Sequence, residues 1–223
     1  TNANLDYTAS SVKDLTGIIS AGGYYILSNN GAAFEAMYGF PAHQIIGTGG
    51  AADSNGDDQI ELVGPDGTPV DIFGVPGESY LALLDALHDH QDKLHFFACR
   101  QEGGAAIMAE ADGKLTHRPG ICMVTRGPGA TNASLGVHIA HQDSTPLILF
   151  VGQVSRAMME REAFQEIDFR RMYGPLSKWV AQIDEAARIP EMVSRAFCVA
   201  TAGRPGPVVL ALPEDMLFET ASV

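Results

Sequence analysis

Gly120-Ile121-Cys122-Met123-Val124-Thr125 runs straight into Arg126-Gly127-Pro128-Gly129-Ala130-Thr131-Asn132, and this stretch decides the fold. Its first half is apolar without alternation, the pattern of a short strand covered on both faces. Glycine and proline then break the run, and Ala130 to His141 continues as a helix. The same unit recurs on either side. Leu94 to Ala98 reads as a strand followed by a helix from Glu102 to Ala111, and Leu147 to Val151 as a strand between Pro146 and Gly152. Tyr80 to His90 and Ile189 to Ala202 are helix-periodic, and Pro207 to Leu212 is a further apolar strand. Short apolar strands alternating with helices predict an α/β fold, a parallel sheet with helices on both faces.

The 223 residues are 46% hydrophobic and carry a net charge of -13. That composition supports a buried core and excludes compositional disorder. The negative balance argues against nucleic acid, whose phosphates require clustered Lys and Arg. No apolar run approaches the roughly 18 residues that span a bilayer, and Thr1 to Tyr7 lacks the basic-then-apolar pattern of a signal peptide. Cys99, Cys122 and Cys198 lack the spacing of a disulfide framework or a zinc site. Cys122 and Cys198 read as ordinary buried thiols, which fits a reducing, cytoplasmic setting.

The charges are uneven along the chain. Residues 1–72 hold nine acids and one base, Lys13, whereas residues 73–223 hold 18 acids and 13 bases. This shift predicts a boundary near residue 72, between an acidic β-rich segment and the α/β domain. In the acidic part, β-like runs at Gly23 to Leu27, Gln59 to Val63 and Val70 to Phe73 alternate with turn signals. Asp66-Gly67 suits a hairpin turn, and Ala32 to Tyr38 a short helix.

Ligands of such sheets bind beyond the carboxyl ends of the strands. The residues placed there are Phe73-Gly74-Val75-Pro76-Gly77-Glu78, Cys99-Arg100-Gln101-Glu102-Gly103-Gly104-Ala105, Thr125 to Asn132, and Val151-Gly152-Gln153. With His141 to Pro146, Glu162-Ala163-Phe164-Gln165-Glu166 and Gly203 to Val208, they follow one another in an order that resembles a known family. That family is the acetolactate synthase and pyruvate oxidase group of thiamine-diphosphate enzymes, in its amino-terminal pyrimidine-binding domain. The resemblance covers Phe73 to Glu214.

The resemblance implies that Glu102 is the catalytic carboxylate. It would hydrogen-bond a ring nitrogen of the cofactor's aminopyrimidine and favour the imino tautomer, which then removes the thiazolium proton. Partial burial would raise a glutamate's pKa and ease this proton sharing. A lone Glu at this position is also what a helix N-terminus favours. The resemblance further implies that Val75, Pro76, Gly77, Pro128 and Asn132 shape the pyrimidine pocket and that Gln165 reaches toward the thiazolium or the substrate. Against these stand turn roles for Pro76 and Pro128, a first-turn role for Asn132 and a surface role for Gln165. The family often has His where this chain has Gln101, so Gln101 receives no role.

Other motifs lead nowhere. His138 and His141 have a metal-ligand spacing but no third partner. Gly47 to Ala52, followed by Asp53, lacks the strand-then-helix context of a dinucleotide loop. Asp53, Asn55 and Asp57 alternate as in a calcium loop, but no Glu closes it.

By resemblance, the diphosphate and its magnesium are held by a second domain carrying Gly-Asp-Gly and a later Asn. Asp66-Gly67 and Asp112-Gly113 follow Pro65 and Ala111, so neither supplies that motif. The expected partner is a diphosphate-binding domain on the same or another chain, usually in a homodimer. The central domain that binds FAD in some members is likewise not in this sequence. The expected function is the pyrimidine half-site of a 2-oxo acid decarboxylase or carboligase, a lyase or transferase, inactive as this chain alone. The alternative is a non-catalytic interaction module or a chimeric fragment.

Residues 1–74 instead resemble part of a lamin-tail-type β-sandwich, on Ala21 to Leu27, Ala33 to Phe40, Asn55 to Leu62 and Val70 to Gly74. Asp71 to Glu78 suits both resemblances. A chimera joined there would let the strand that ends the sandwich open the α/β sheet.

Overall fold

The computed structural model describes residues 69–221 and four two-residue strands before them. The chain divides into two compact units, one of Thr1–Val70 with Ser222–Val223 and one of Asp71–Ala221. In the first, Asn4–Leu5 pairs antiparallel with Lys13–Asp14, and Leu27–Ser28 pairs parallel with Gln44–Ile45. The expected helix at Ala32 to Tyr38, the strand at Gln59 to Val63, the Asp66-Gly67 turn and most of the sandwich reading lie outside the described residues.

The second fold is the expected α/β sheet. Its strands are β1 (Val70–Gly74), β2 (Leu94–Ala98), β3 (Gly120–Thr125), β4 (Leu147–Gln153), β5 (Trp179–Gln182) and β6 (Pro207–Pro213). They form one six-stranded parallel sheet in the order β2-β1-β3-β4-β6-β5. Its helices are α1 (Leu81–Asp89), α2 (Glu102–Thr116), α3 (Arg126–Asp143), α4 (Phe169–Tyr173) and α5 (Ile189–Thr201). The central strands β3, β4 and β6 are buried almost throughout, as their unbroken apolar runs require. Burying each Val, Leu or Ile there contributes about 1.5–3 kcal/mol.

Helices α2 and α3 pack on each other and on the sheet through small residues. Ala105, Ala106 and Ala109 face Ala130, Ala133, Val137 and Ala140 in one core. A Cβ on Gly136 would lie 2.6 Å from the Ala106 carbonyl carbon, so the two backbones are as close as glycine allows. The approach of α2 to β3 is closer still: a Cβ on Gly120 would fall 1.7 Å from the Ala109 carbonyl oxygen.

Four elements depart from expectation. Helix α2 continues past Ala111 to Thr116, because Gly113 is a packing residue, not a breaker. A Cβ on Gly113 would meet the Pro146 carbonyl oxygen at 2.3 Å. The helix stops at His117, whose left-handed backbone (φ 59°) turns its amide onto Gly113. Helix α3 begins at Arg126, four residues before Ala130, with Pro128 in the first turn, where a missing N–H costs nothing. At its other end Arg204 donates to the carbonyls of His141 and Gln142 and to Ser144 Oγ. The short elements β5 and α4 were not anticipated.

Candidate cofactor site

All strands of a parallel sheet deliver their carboxyl ends to one edge, and the loops after β1 to β4 gather there. Glu102 is the first residue of α2. Gln101 precedes it in extended backbone, and its side-chain oxygen accepts from the Gly104 amide at 2.8 Å. Gln101 is therefore the helix cap. Nothing in the sequence flagged this, since glutamine is not a favoured capping residue.

Glycines then bring Glu102 to α3. A Cβ on Gly129 would touch both Val124 Cβ at 3.2 Å and Glu102 Cγ at 3.8 Å, and one on Gly103 would lie 3.1 Å from the Asn132 carbonyl. In the space so left, Asn132 Nδ2 donates to Glu102 Oε2 at 2.9 Å. Glu102 Oε1 keeps its acceptor capacity for a ligand.

Beside this pair lies a cleft of about 440 Å³, lined by Gly127, Pro128, Thr131 and Asn132 of α3 and by Gln165, Glu166 and Ile167. Pro128, Asn132 and Gln165 thus come together, and Glu102 joins them through Asn132. Val75, Pro76 and Gly77 are not in this lining. They pass the end of β3, where the Val75 amide donates to the Met123 carbonyl at 3.2 Å and a Cβ on Gly77 would strike Thr125. The Tyr80 hydroxyl donates to the Val75 carbonyl, and Ser79 bonds Thr125. Burial first, then Cys122 and Glu102, raise the Tyr80 pKa, so the hydroxyl stays a donor.

The Asn132 amide lines the cleft between Pro128 and Ile167, with the Glu102 carboxylate one hydrogen bond behind it, an arrangement that suits a flat heteroaromatic ring bearing ring nitrogens. The residues present therefore fit an aminopyrimidine. Among the described residues no group of three His, Cys, Asp or Glu side chains is placed to hold a metal ion. No described helix is long and apolar enough to cross a membrane.

Two features of the site escaped the sequence reading. Arg126, with φ at 43°, sends its guanidinium to Glu214 at 2.8 Å, and its side chain is only 12% exposed. Glu166 folds its carboxylate back onto its own loop, accepting from the amides of Glu160 at 2.6 Å and Ala163 at 3.0 Å. Those two amides hold the Glu166 carboxyl below the usual glutamate range, against a smaller opposing effect of desolvation. The contribution of these bonds is complete above the ordinary glutamate pKa and is lost as pH falls through the depressed folded value. The Glu160 and Ala163 amide resonances are therefore expected to titrate together, with a midpoint below that of a free glutamate. Independent midpoints would refute the staple.

Residues 70–172 match the family model of the thiamine pyrophosphate enzyme N-terminal TPP-binding domain. The acetolactate synthase large subunit of Lactococcus lactis subsp. lactis is 44% identical over 145 residues, 65% of this chain and 25% of that protein. The acetolactate synthase isozyme 3 large subunit of Escherichia coli is 40% identical over 146 residues, 66% of this chain and 25% of that protein. A probable acetolactate synthase large subunit of Methanococcus aeolicus is 42% identical over 145 residues, 65% of this chain and 24% of that protein. The chain thus spans about a quarter of the length of the curated relatives it matches. Residues 70–172 belong to the family of N-terminal, pyrimidine-binding domains of thiamine pyrophosphate enzymes, in its acetolactate synthase group.

Proposed function

We propose that this chain supplies the pyrimidine half of a thiamine-diphosphate site in an acetolactate-synthase-like decarboxylase or carboligase acting on 2-oxo acids. The observation that carries this is the Glu102–Asn132 pair at 2.9 Å beside the cleft. Thiamine diphosphate, when bound, supplies the carbanion chemistry. Glu102 supplies one proton contact to a ring nitrogen through its Oε1, while Asn132 keeps Oε2 occupied and the carboxylate oriented. Pro128 walls the cleft, and Gln165 offers an amide from its far side. Val75, Pro76 and Gly77, outside the lining of this cleft, are assigned to the pyrimidine from the end of β1.

Diphosphate and magnesium are assigned to a diphosphate-binding domain on this or another chain, in a homo-oligomer. FAD, used by some members, has no part in the proposal. Ile107, Met108 and Leu115, on the outer side of α2, are 39%, 45% and 82% exposed and give that partner an apolar surface. Cys122 is buried as expected, whereas Cys198 is exposed, and the free thiols of Cys99, Cys122 and Cys198 fit a cytoplasmic setting. Calorimetric titration with thiamine diphosphate and magnesium, with and without a diphosphate-domain partner, tests the assignment. Binding that requires the partner and is weakened by Glu102→Gln supports it. Lack of binding in both arrangements would favour an interaction module.

We read residues 1–72 as a separate acidic, lamin-tail-like module, joined to the pyrimidine domain within Asp71 to Glu78. Limited proteolysis is expected to leave a protected core beginning near Asp71. A single protected core from Thr1 to Val223 would sink this two-module view.

A further inference from the structure

This inference rests on the cofactor reading above and concerns how the far wall of the cleft is held. Between Glu160 and Asp168 the loop contains three non-glycine residues in left-handed backbone: Glu160 (φ 61°), Glu162 (φ 54°) and Gln165 (φ 66°). Such residues persist only where surrounding contacts over-determine them, and they concentrate at functional sites. The contacts here are specific. The Gly127 amide donates to the Gln165 carbonyl at 2.9 Å, and a Cβ at Gly127 would come within 2.9 Å of that same oxygen. Two residues on, the Ile167 carbonyl accepts from Gln153 Nε2 at 2.8 Å.

Gln153 ends β4 and is 1% exposed. Its side-chain oxygen accepts from the Val154 amide at 2.9 Å, and its backbone carbonyl accepts from the Glu214 amide at 3.0 Å. Both ends of the buried amide are therefore used. An apolar replacement would orphan the Ile167 carbonyl and the Val154 amide, and an ionised carboxylate would face the Ile167 oxygen without a proton to donate. On the other side of Gln165, Glu166 staples the Glu160 and Ala163 amides.

We propose that Gln153 and Glu166 are positioning residues, which fix Gln165 in its left-handed conformation against the first turn of α3 as a preset wall of the cleft. Gln153 acts from the sheet, whose strand end is rigid, and Glu166 acts from within the loop.

The first test uses the full chain without cofactor. The φ-sensitive couplings of Gln165, measured by NMR, are expected to report a left-handed residue in the wild type. In Gln153→Met and in Glu166→Ala they move toward averaged values, while the amides of β3 and of β4 from Leu147 to Val151 keep their shifts. Trypsin cutting after the exposed Arg161 is expected to speed up at least tenfold in both variants. Glu166→Ala alters a solvent-side carboxylate and guards against a Gln153→Met chain that fails to fold. Left-handed couplings that survive in both variants would overturn the proposal.

A second arm reads the role in catalysis, with pyruvate as probe and a diphosphate-binding partner supplied. Both variants are expected to lose about 10- to 100-fold in kcat, with the affinity for thiamine diphosphate nearly unchanged. In a Gln165→Ala background Gln153→Met should add little further loss, because it acts through Gln165. Full additivity of the two would overturn the positioning role. Absence of turnover in the wild type would strike the cofactor reading alone, since the coupling and proteolysis results contain no cofactor.

Discussion

Alanine at Gly120 is expected to destabilise the α/β unit by about 3 kcal/mol or more, at or beyond the upper end of overpacking costs. The added carbon would lie 1.7 Å from the Ala109 carbonyl oxygen and 2.6 Å from its carbonyl carbon. Both are helix backbone atoms, so no side chain can rotate away. Relief requires α2 to lift from β3, which also pulls Ala105, Ala106 and Ala109 out of the core they share with α3. For a unit of this size about 3 kcal/mol corresponds to a fall in Tm of roughly 6–12 °C. Gly174→Ala is the control, because a Cβ there meets nothing within 4 Å. That variant should stay within about 0.5 kcal/mol of the wild type. Gly113→Ala should resemble Gly120→Ala, and the double variant should fall short of additivity because the two sites relieve the same contact. Denaturant titration of the wild type and the four variants decides. A Gly120→Ala chain as stable as Gly174→Ala would show that α2 does not sit on β3 as described.

The same glycines explain what could be read from the sequence and what could not. Strand β3 was legible because every residue from Ile121 to Val124 is apolar, which leaves no polar face and forces burial on both sides. The end of α2 was not, because Asp112-Gly113 has the local chemistry of a turn while its real constraint, the Pro146 carbonyl, lies on another element. The start of α3 is likewise hidden, since Gly127, Pro128 and Gly129 read as loop when judged by propensity alone. Phe169–Tyr173 is too short to show a period, although Asp168 caps it by accepting from the Arg171 amide. At the site, Glu102, Pro128, Asn132 and Gln165 were named through the family resemblance, and the structure assembles them. Gln101, Gln153 and Glu214 gave no usable signal. Their side chains meet Gly104, Ile167 with Val154, and Arg126 respectively, and the contacts with Ile167 and Arg126 exist only once the sheet has formed.

Glu102→Gln is expected to leave the fold intact and remove most of the catalytic contribution of this domain. The substitution is isosteric, and the glutamine oxygen can still accept from Asn132, so stability should change by no more than about 0.5 kcal/mol. What is lost is the negative charge and the ability to exchange a proton at the ring nitrogen. A positioned acid–base contributes about 10²- to 10⁴-fold, and kcat of the assembled enzyme should fall within that range. Affinity for thiamine diphosphate should fall less, because a charged hydrogen bond is worth about 1.5–3 kcal/mol, or roughly 10- to 150-fold. Asn132→Ala separates orientation from charge. It leaves the Glu102 carboxylate in place but removes the donor at 2.9 Å, so a smaller loss is expected, near tenfold. Glu102→Asp keeps the charge but withdraws it by one methylene, and should fall between the two. The order Glu102→Gln, Glu102→Asp, Asn132→Ala in decreasing severity follows if the proton contact is the chemistry and Asn132 its orienter. If Asn132→Ala proved as severe as Glu102→Gln, the amide would be touching the cofactor itself. If Glu102→Gln retained full turnover, the carboxylate would be no more than a favourable charge at the start of α2, and the catalytic reading would fall with it.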